Sequence, residues 1–338
     1  MRILYRDLTT TSPIDSWFGL RWKREQLQRN RFGFRDAEFS VRKAPGTTRI
    51  IAVGDSFTAA MGIAEEDRYT ARLETALRAG GASVEVLNFA NPGAELDAHV
   101  ETLRRAVLPA RPDFVLLQWY VNDFEIEKQG RPRPRHLVPW PAIHAALFAH
   151  SALYALLEQQ WTWIQVRLGL TASYEDTMRE RYGDPGGEGS RRALQELRSF
   201  LRVAKGAEVP VAVVLFPQLD DRLGADYPFG FLHERVLGVC AEESVPCVDL
   251  REVFSAYAGQ SELLRVNRFD HHAGALAHRL AAERLLEVLG PLWWGAPARL
   301  GRAAARRSVA ARGKHRSNSL TYRGFRLPWR PCGLTQRV

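Results

Sequence analysis

Short apolar runs alternating with amphipathic helical stretches predict an α/β protein. The expected architecture is a three-layer α/β/α sandwich around a flavodoxin-like, parallel five-stranded sheet, with a helical insertion after the third strand. Composition agrees: 338 residues, 46% hydrophobic and 25% charged, match a globular chain rather than a disordered, collagen-like or membrane-spanning one. A chain of this length buries roughly 75% of its unfolded surface, so its core needs neither disulfides nor structural metal. Cys240, Cys247 and Cys332 lack C-x-x-C spacing and read as ordinary thiols.

The strands are expected at residues 50–53, 84–88, 114–119, 211–216 and 247–248. Each run is too short, and too rich in β-branched or aromatic residues, for a buried helix. Residues 65–79, 95–107, 190–204, 231–243 and 274–289 carry apolar positions three and four apart and predict helices. Strand alternating with helix implies a parallel sheet covered on both faces, whose ligands gather at the carboxyl ends of the strands.

Three regions flank or interrupt this pattern. Residues 1–47 show no clear period and predict an N-terminal arm that packs through Trp17, Phe18 and Trp22; the main domain then runs over 48–290. An insertion at about residues 125–189 opens with the stiff run Arg131-Pro-Arg-Pro-Arg135, continues as a helix over 144–168 with Trp161 and Trp163 near its end, and returns flexibly over 183–190. Two readings of it stand: packing against the sheet edge, or a lid over a substrate, with Leu156 and the tryptophans forming an apolar or sugar-ring surface. Residues 291–338 form a basic tail.

The tail accounts for the charge. Of 47 Lys+Arg against 38 Asp+Glu, 11 basic residues and no acid fall in 296–338, leaving 36 against 38 for the rest. The body is near neutral, and the Arg-rich tail predicts a solvated, disordered extension or an anion-binding arm rather than a specific nucleic-acid reader. The longest uncharged stretch, 136–157, contains three histidines and falls short of the ~20 strongly apolar residues of a transmembrane helix. Charges occupy the place of a signal-peptide core, so the default expectation is a cytoplasmic chain, or a membrane-associated or exported one if the start is truncated.

The sharpest motif is Gly54-Asp55-Ser56-Phe57-Thr58, directly after the first strand. It puts a hydroxyl at the ligand-binding edge beside free backbone N–H groups. The same residues also suit a turn that merely caps a helix. Phosphate-loop and G-x-S-x-G patterns are missing. The second strand ends in Asn91-Pro92-Gly93 and the third in Asn122-Asp123, while Asp270-His271-His272 precedes the last helix. All lie on one predicted rim. Asp55 and Asp123 suit loop bracing, and His99 and His278 suit structural or exposed helix positions. Adjacent histidines rarely converge on one ion, so no metal is expected at His271/His272.

Together these four segments, with the lead-in Arg31-Phe-Gly-Phe-Arg-Asp36 and the run from Gly274 to Glu283, resemble the blocks of the SGNH (GDSL) hydrolase superfamily, bacterial GDSFT-type serine esterases included. The resemblance implies a cofactor-free serine hydrolase. It implies Ser56 as nucleophile, His272 as base and Asp270 as the acid that orients it. The oxyanion donors it implies are the N–H groups of Ser56 and Gly93 and the side-chain amide of Asn122. The family's commonest last block has Asp three residues before His; here Phe269 holds that place and Asp270 stands two before His272. His271 is the competing base, and the downstream run falls into step only from His272. The implied reaction is cleavage of an ester, a short acyl or acetyl group, through an acyl-enzyme on Ser56, with a small-molecule or carbohydrate ester as partner. Two alternatives remain at this point: an O-acyltransferase to a carbohydrate using the same triad, and a non-catalytic binding module with an anion-binding tail.

Overall fold

A computed structural model of the chain describes residues 29–125, 135–219, 221–267 and 270–293. In chain order its elements are β1 (Thr48–Gly54), α1 (Ser56–Ala59), α2 (Tyr69–Ala79), β2 (Val84–Ala90), α3 (Leu96–Thr102), β3 (Phe114–Trp119), α4 (Pro141–His150), α5 (Ala152–Arg167), α6 (Tyr174–Tyr182), α7 (Glu188–Gly206), β4 (Val211–Leu215), α8 (Gly230–Glu242), β5 (Cys247–Asp249), α9 (Arg251–Phe254) and α10 (Ala275–Trp293).

The five strands pair in parallel in the order β2-β1-β3-β4-β5, the flavodoxin-like doubly wound arrangement. Every residue of β3 and β4 is buried, which is why these segments are continuous apolar runs rather than alternating ones: helices cover both faces. Helix α2 packs on α10, and α3 packs on α7, which packs in turn on α8. Helix α7 shows how such a layer is encoded. Its buried Ala193, Leu197, Phe200, Leu201 and Ala204 recur at three- and four-residue steps on the sheet side, while Arg191, Arg192, Arg202 and Lys205 are exposed.

The described part of the lead-in, residues 29–47, is fixed by Phe34 stacked on Phe89 of β2 at 4.3 Å and by buried Arg35. That guanidinium donates to the carbonyls of Ala59, Ala60 and Ile63 at 2.7, 2.5 and 2.7 Å, filling acceptors left open where α1 ends. Trp17, Phe18 and Trp22, the expected packing residues, lie outside the described residues, as do 126–134, with most of the Arg-Pro run, and 294–338, with most of the tail.

The insertion departs from expectation in three ways. One helix over 144–168 becomes two, because Ser151 leaves helical geometry and its hydroxyl accepts the N–H of Tyr154 as an N-cap. Packing of these helices against the sheet edge is not what is seen: α4 has no buried residue, and Leu153, Leu157 and Ile164 in α5, with Leu168 at its C-cap, are exposed. It is α6 that docks, through buried Met178 and Tyr182. The return is also shorter than 183–190. Helix α7 begins at Glu188, and buried Ser190 donates to the Tyr182 carbonyl at 3.1 Å.

Candidate active site

The turn after β1 is held from below before it offers anything to solvent. A Cβ on Gly54 would stand 2.3 Å from Gln118 Oε1 and 2.5 Å from Thr58 Oγ1, so only glycine lets β1 end this close to β3. Gln118 Oε1 accepts the Asp55 N–H at 3.0 Å and the Thr58 hydroxyl at 2.9 Å. Asp55 Oδ1 caps α1 by accepting the Phe57 N–H at 2.8 Å. Asn88 donates its side-chain amide to the Thr58 carbonyl at 2.8 Å. These bonds leave half-buried Ser56 just past the carboxyl end of β1, with its hydroxyl on the rim.

From the other end of the sequence, residues 270–274 reach the same rim. Val266 N–H bonds to His272 O at 2.9 Å and Gly274 N–H to Leu264 O at 2.7 Å, and Arg265 and Ala273 form an antiparallel bridge. In this frame His272 Nε2 lies 3.0 Å from Ser56 Oγ, and His272 Nδ1 lies 2.6 Å from Asp270 Oδ1. That oxygen also accepts the His272 backbone N–H at 3.0 Å. The two-residue spacing between Asp270 and His272 therefore closes a tight loop in which one carboxylate oxygen meets both the ring and the main chain. The neighbouring His271 is exposed.

Gly93 and Asn122 stand on the neighbouring strand ends. The loop of Gly93 is tied to the serine turn by the Asn91 N–H, which donates to Gly54 O at 2.8 Å. Gly93 has φ +77°, the left-handed region that favours glycine, and is exposed, with nothing within 4 Å of a Cβ position. Half-buried Asn122 follows β3 in a turn closed by Asp123 Oδ2, which accepts the Tyr120 N–H at 2.8 Å. The Phe57 ring stacks on Tyr120 at 4.2 Å and stands 5.7 Å from the His272 ring, binding the three loops together.

Beneath the hydroxyl lies a buried polar group that the motifs do not announce. Asp55, Asp123 and His99 are all fully buried. His99 Nε2 is 3.3 Å from Asp123 Oδ1. Burial raises the Asp55 carboxyl to about 6, helped by the nearby negative charge of Asp123. Burial pulls the His99 imidazole down, but the adjacent Asp123 carboxylate outweighs it and the net shift is upward. His278 is likewise buried in α10, accepting the Tyr69 N–H on Nδ1 at 3.2 Å. Burial, then the charges of Arg68, Arg35 and Arg72, lower it to about 3. Neither His99 nor His278 is exposed. Gln118, Arg35 and His99 escape sequence reasoning because each acts on a partner more than twenty residues away.

One cluster among the described residues brings three metal-type ligand atoms within 4.8 Å: His136, His144 and Glu158, in the insertion. Its two imidazoles stack with centroids 3.7 Å apart, so their in-plane lone pairs run side by side instead of converging on an ion. Glu158 Oε1 is already bonded to His136 Nδ1 at 2.6 Å, and the group acts as a brace between α4 and α5.

Comparison with known proteins places the chain in a family. The crystal structure of TesA aligns at 18% identity and TM-score 0.46, covering 72% of this chain and 99% of that one. The psychrotrophic esterase EstA from Pseudoalteromonas sp. aligns at 13% and 0.45 over 72% and 98%. A catalytic mutant of Axe2, an acetylxylan esterase from Geobacillus stearothermophilus, aligns at 15% and 0.47 over 74% and 97%. No curated protein matches the chain. Residues 52–280, more than half of the sequence, match the GDSL-like lipase/acylhydrolase family from the serine strand to the helix after His272; the chain belongs to that family and is a hydrolase acting on esters.

Proposed function

We propose that the protein is a serine esterase that works through an acyl-enzyme on Ser56, with His272 as general base and Asp270 as its orienting acid. The observation that carries this reading is the unbroken sequence of contacts Ser56 Oγ to His272 Nε2, 3.0 Å, and His272 Nδ1 to Asp270 Oδ1, 2.6 Å. A serine hydroxyl is a weak nucleophile at neutral pH and needs an adjacent base. With Nδ1–H donating to Asp270, Nε2 carries the lone pair and accepts the Oγ proton.

As Oγ attacks the ester carbonyl carbon, its proton passes to His272 Nε2 and the carbonyl oxygen takes up negative charge. The N–H groups of Ser56 and Gly93 and the amide of Asn122 are the donors for that oxyanion. Collapse breaks the bond to the alcohol, which leaves with the proton from His272. A water, deprotonated by the same imidazole, then attacks the acyl-enzyme, and the acid departs as Ser56 regains its proton. Asp270 stabilises the imidazolium in both halves without taking the proton itself.

The acyl group in this reading is short, acetyl in the simplest case. A series of p-nitrophenyl esters from acetate to octanoate tests it together with the covalent step: rapid mixing gives a burst of p-nitrophenol equal to the enzyme concentration, and kcat/KM falls with chain length. A rise toward octanoate contradicts the short-acyl reading, and acyl transfer to a sugar hydroxyl outpacing release of free acid would make the enzyme a transferase.

A further inference from the structure

Helix α5 is inside out. Its buried residues include Glu158 and Gln165, 5% and 2% exposed, whereas Leu153, Leu157, Ile164 and Leu168 are exposed by 66%, 49%, 39% and 66%. The four apolar positions are four, seven and four residues apart, so they form one stripe along the helix; 158 and 165 are seven apart and form another. The polar stripe is satisfied internally. Glu158 accepts from the Leu137 N–H at 3.0 Å besides meeting His136. Gln165 both accepts from Arg135 N–H, at 2.9 Å, and donates to Arg135 O, at 3.0 Å.

Helix α4 continues the pattern. It carries no charged and no buried residue, and Ile143 and Leu147, one turn apart, are 50% and 36% exposed after Trp140 at 63%. Ten of the thirteen large hydrophobics exposed among the described residues fall between Leu137 and Leu170. Leucines outside and a carboxylate inside reverse what water selects, and a contiguous patch of this kind marks a surface made for an apolar medium.

Charge identifies the medium. Between Arg135 and Ser173 the single carboxylate is that of Glu158, and it is buried. The charges this stretch exposes are Arg135 and Arg167, and the Arg167 guanidinium lies 4.1 Å over the ring of exposed Trp163. Arginines, interfacial tryptophans and an apolar stripe match the layers of an anionic lipid surface: phosphates, the headgroup boundary and acyl chains. A second copy of the same face would bring no exposed carboxylate to these cations. With 10 and 16 residues, α4 and α5 span only about 15 and 24 Å, short of the roughly 30 Å of a bilayer core. No helix among the described residues is long and apolar enough to cross a membrane.

We propose that the α4–α5 hairpin is a lipid-docking element that lies in the surface of a bilayer containing anionic lipid, with its outward leucine stripe turned into the acyl boundary. This inference stands apart from the assignment of the triad. The test is flotation of the full chain with phosphatidylcholine vesicles carrying roughly 30% phosphatidylglycerol, in about 0.5 M salt, where purely electrostatic attachment is screened. The protein floats with the vesicles. The double substitution Leu157→Glu, Ile164→Glu lowers the floating fraction about tenfold, and Leu157→Gln, Ile164→Gln lowers it by a smaller factor. Circular dichroism is unchanged in both, since the replaced side chains face outward. The proposal is overturned if the parent chain stays with the soluble fraction, if parent and variants float alike, or if the parent is a dimer that the substitutions convert to monomer without either binding vesicles.

Discussion

Helices α7 and α5 carry equally regular apolar stripes and turn them in opposite directions. In α7 the stripe of Ala193, Leu197, Phe200, Leu201 and Ala204 is buried and the arginines are outside. In α5 the stripe of Leu153, Leu157, Ile164 and Leu168 is outside and Glu158 is buried. A period in the sequence fixes that a stripe exists, not which way it faces. For α7 the direction is set by the apolar sheet beside it, which supports the rim where Ser56 and Asn122 sit. For α5 no comparable apolar surface stands beside it among the described residues, and the inner face is filled by hydrogen bonds among His136, Glu158, Gln165 and Arg135.

That contrast can be broken at the rim first, where the largest effect is expected. Ser56→Ala and His272→Ala should each lower kcat/KM for p-nitrophenyl acetate by about 10⁴-fold or more while leaving thermal unfolding in place; full activity in either variant would remove the site. Next comes the supporting layer. Phe200→Ala empties a fully buried position and should cost about 3–5 kcal/mol in urea unfolding, against about 0.5 kcal/mol or less for Leu157→Ala on the outward stripe. Equal losses would mean that α5 is packed like α7. Asn122→Ala should lower kcat by about 10²–10³-fold, some 2.7–4 kcal/mol of barrier, with a smaller effect on KM.

The smallest effect separates buried charge from catalysis. His278, lowered to about 3 in the native protein, titrates near ~6.5 in the unfolded chain. Between those values the unfolded state takes a proton that the native state refuses, so its contribution to stability is complete above about pH 6.5 and is lost as pH falls toward 3. Asp55, raised to about 6, acts in the opposite sense, since the native state keeps its proton longer and stability declines as pH rises from about 4 to 6. Urea midpoints at pH 7 and 4.5 should therefore diverge less in His278→Gln than in the parent chain; an unchanged difference would mean that His278 binds its proton equally in the native and unfolded chain.

How much of this was legible follows from the range over which each residue acts. The five strands could be read because both faces of the sheet are covered, and the runs at 114–119 and 211–216 stand out as uninterrupted apolar segments. The ends were less visible: Thr48, Arg49 and Gly54 belong to β1 through pairing with β2, which composition does not display. Ser56, Asp270 and His272 are local motifs at strand and helix ends. The cap at Ser151 that splits the insertion into α4 and α5 was present in the sequence as a serine before an apolar run, but an uninterrupted apolar pattern concealed it. Gln118, Arg35 and the Asp55–Asp123–His99 group owe their roles to chain segments that meet only in the folded protein, and no local pattern encodes that meeting.

The central claim is that one hydroxyl on the rim is the reacting atom. Labelling with a fluorophosphonate probe followed by peptide mapping tests it directly. The modification should fall on the peptide containing Ser56 and on no other, and should be lost in Ser56→Ala and slowed by orders of magnitude in His272→Ala. A probe that leaves Ser56 unmodified in the folded chain, or that reacts equally well once His272 is removed, would contradict the account.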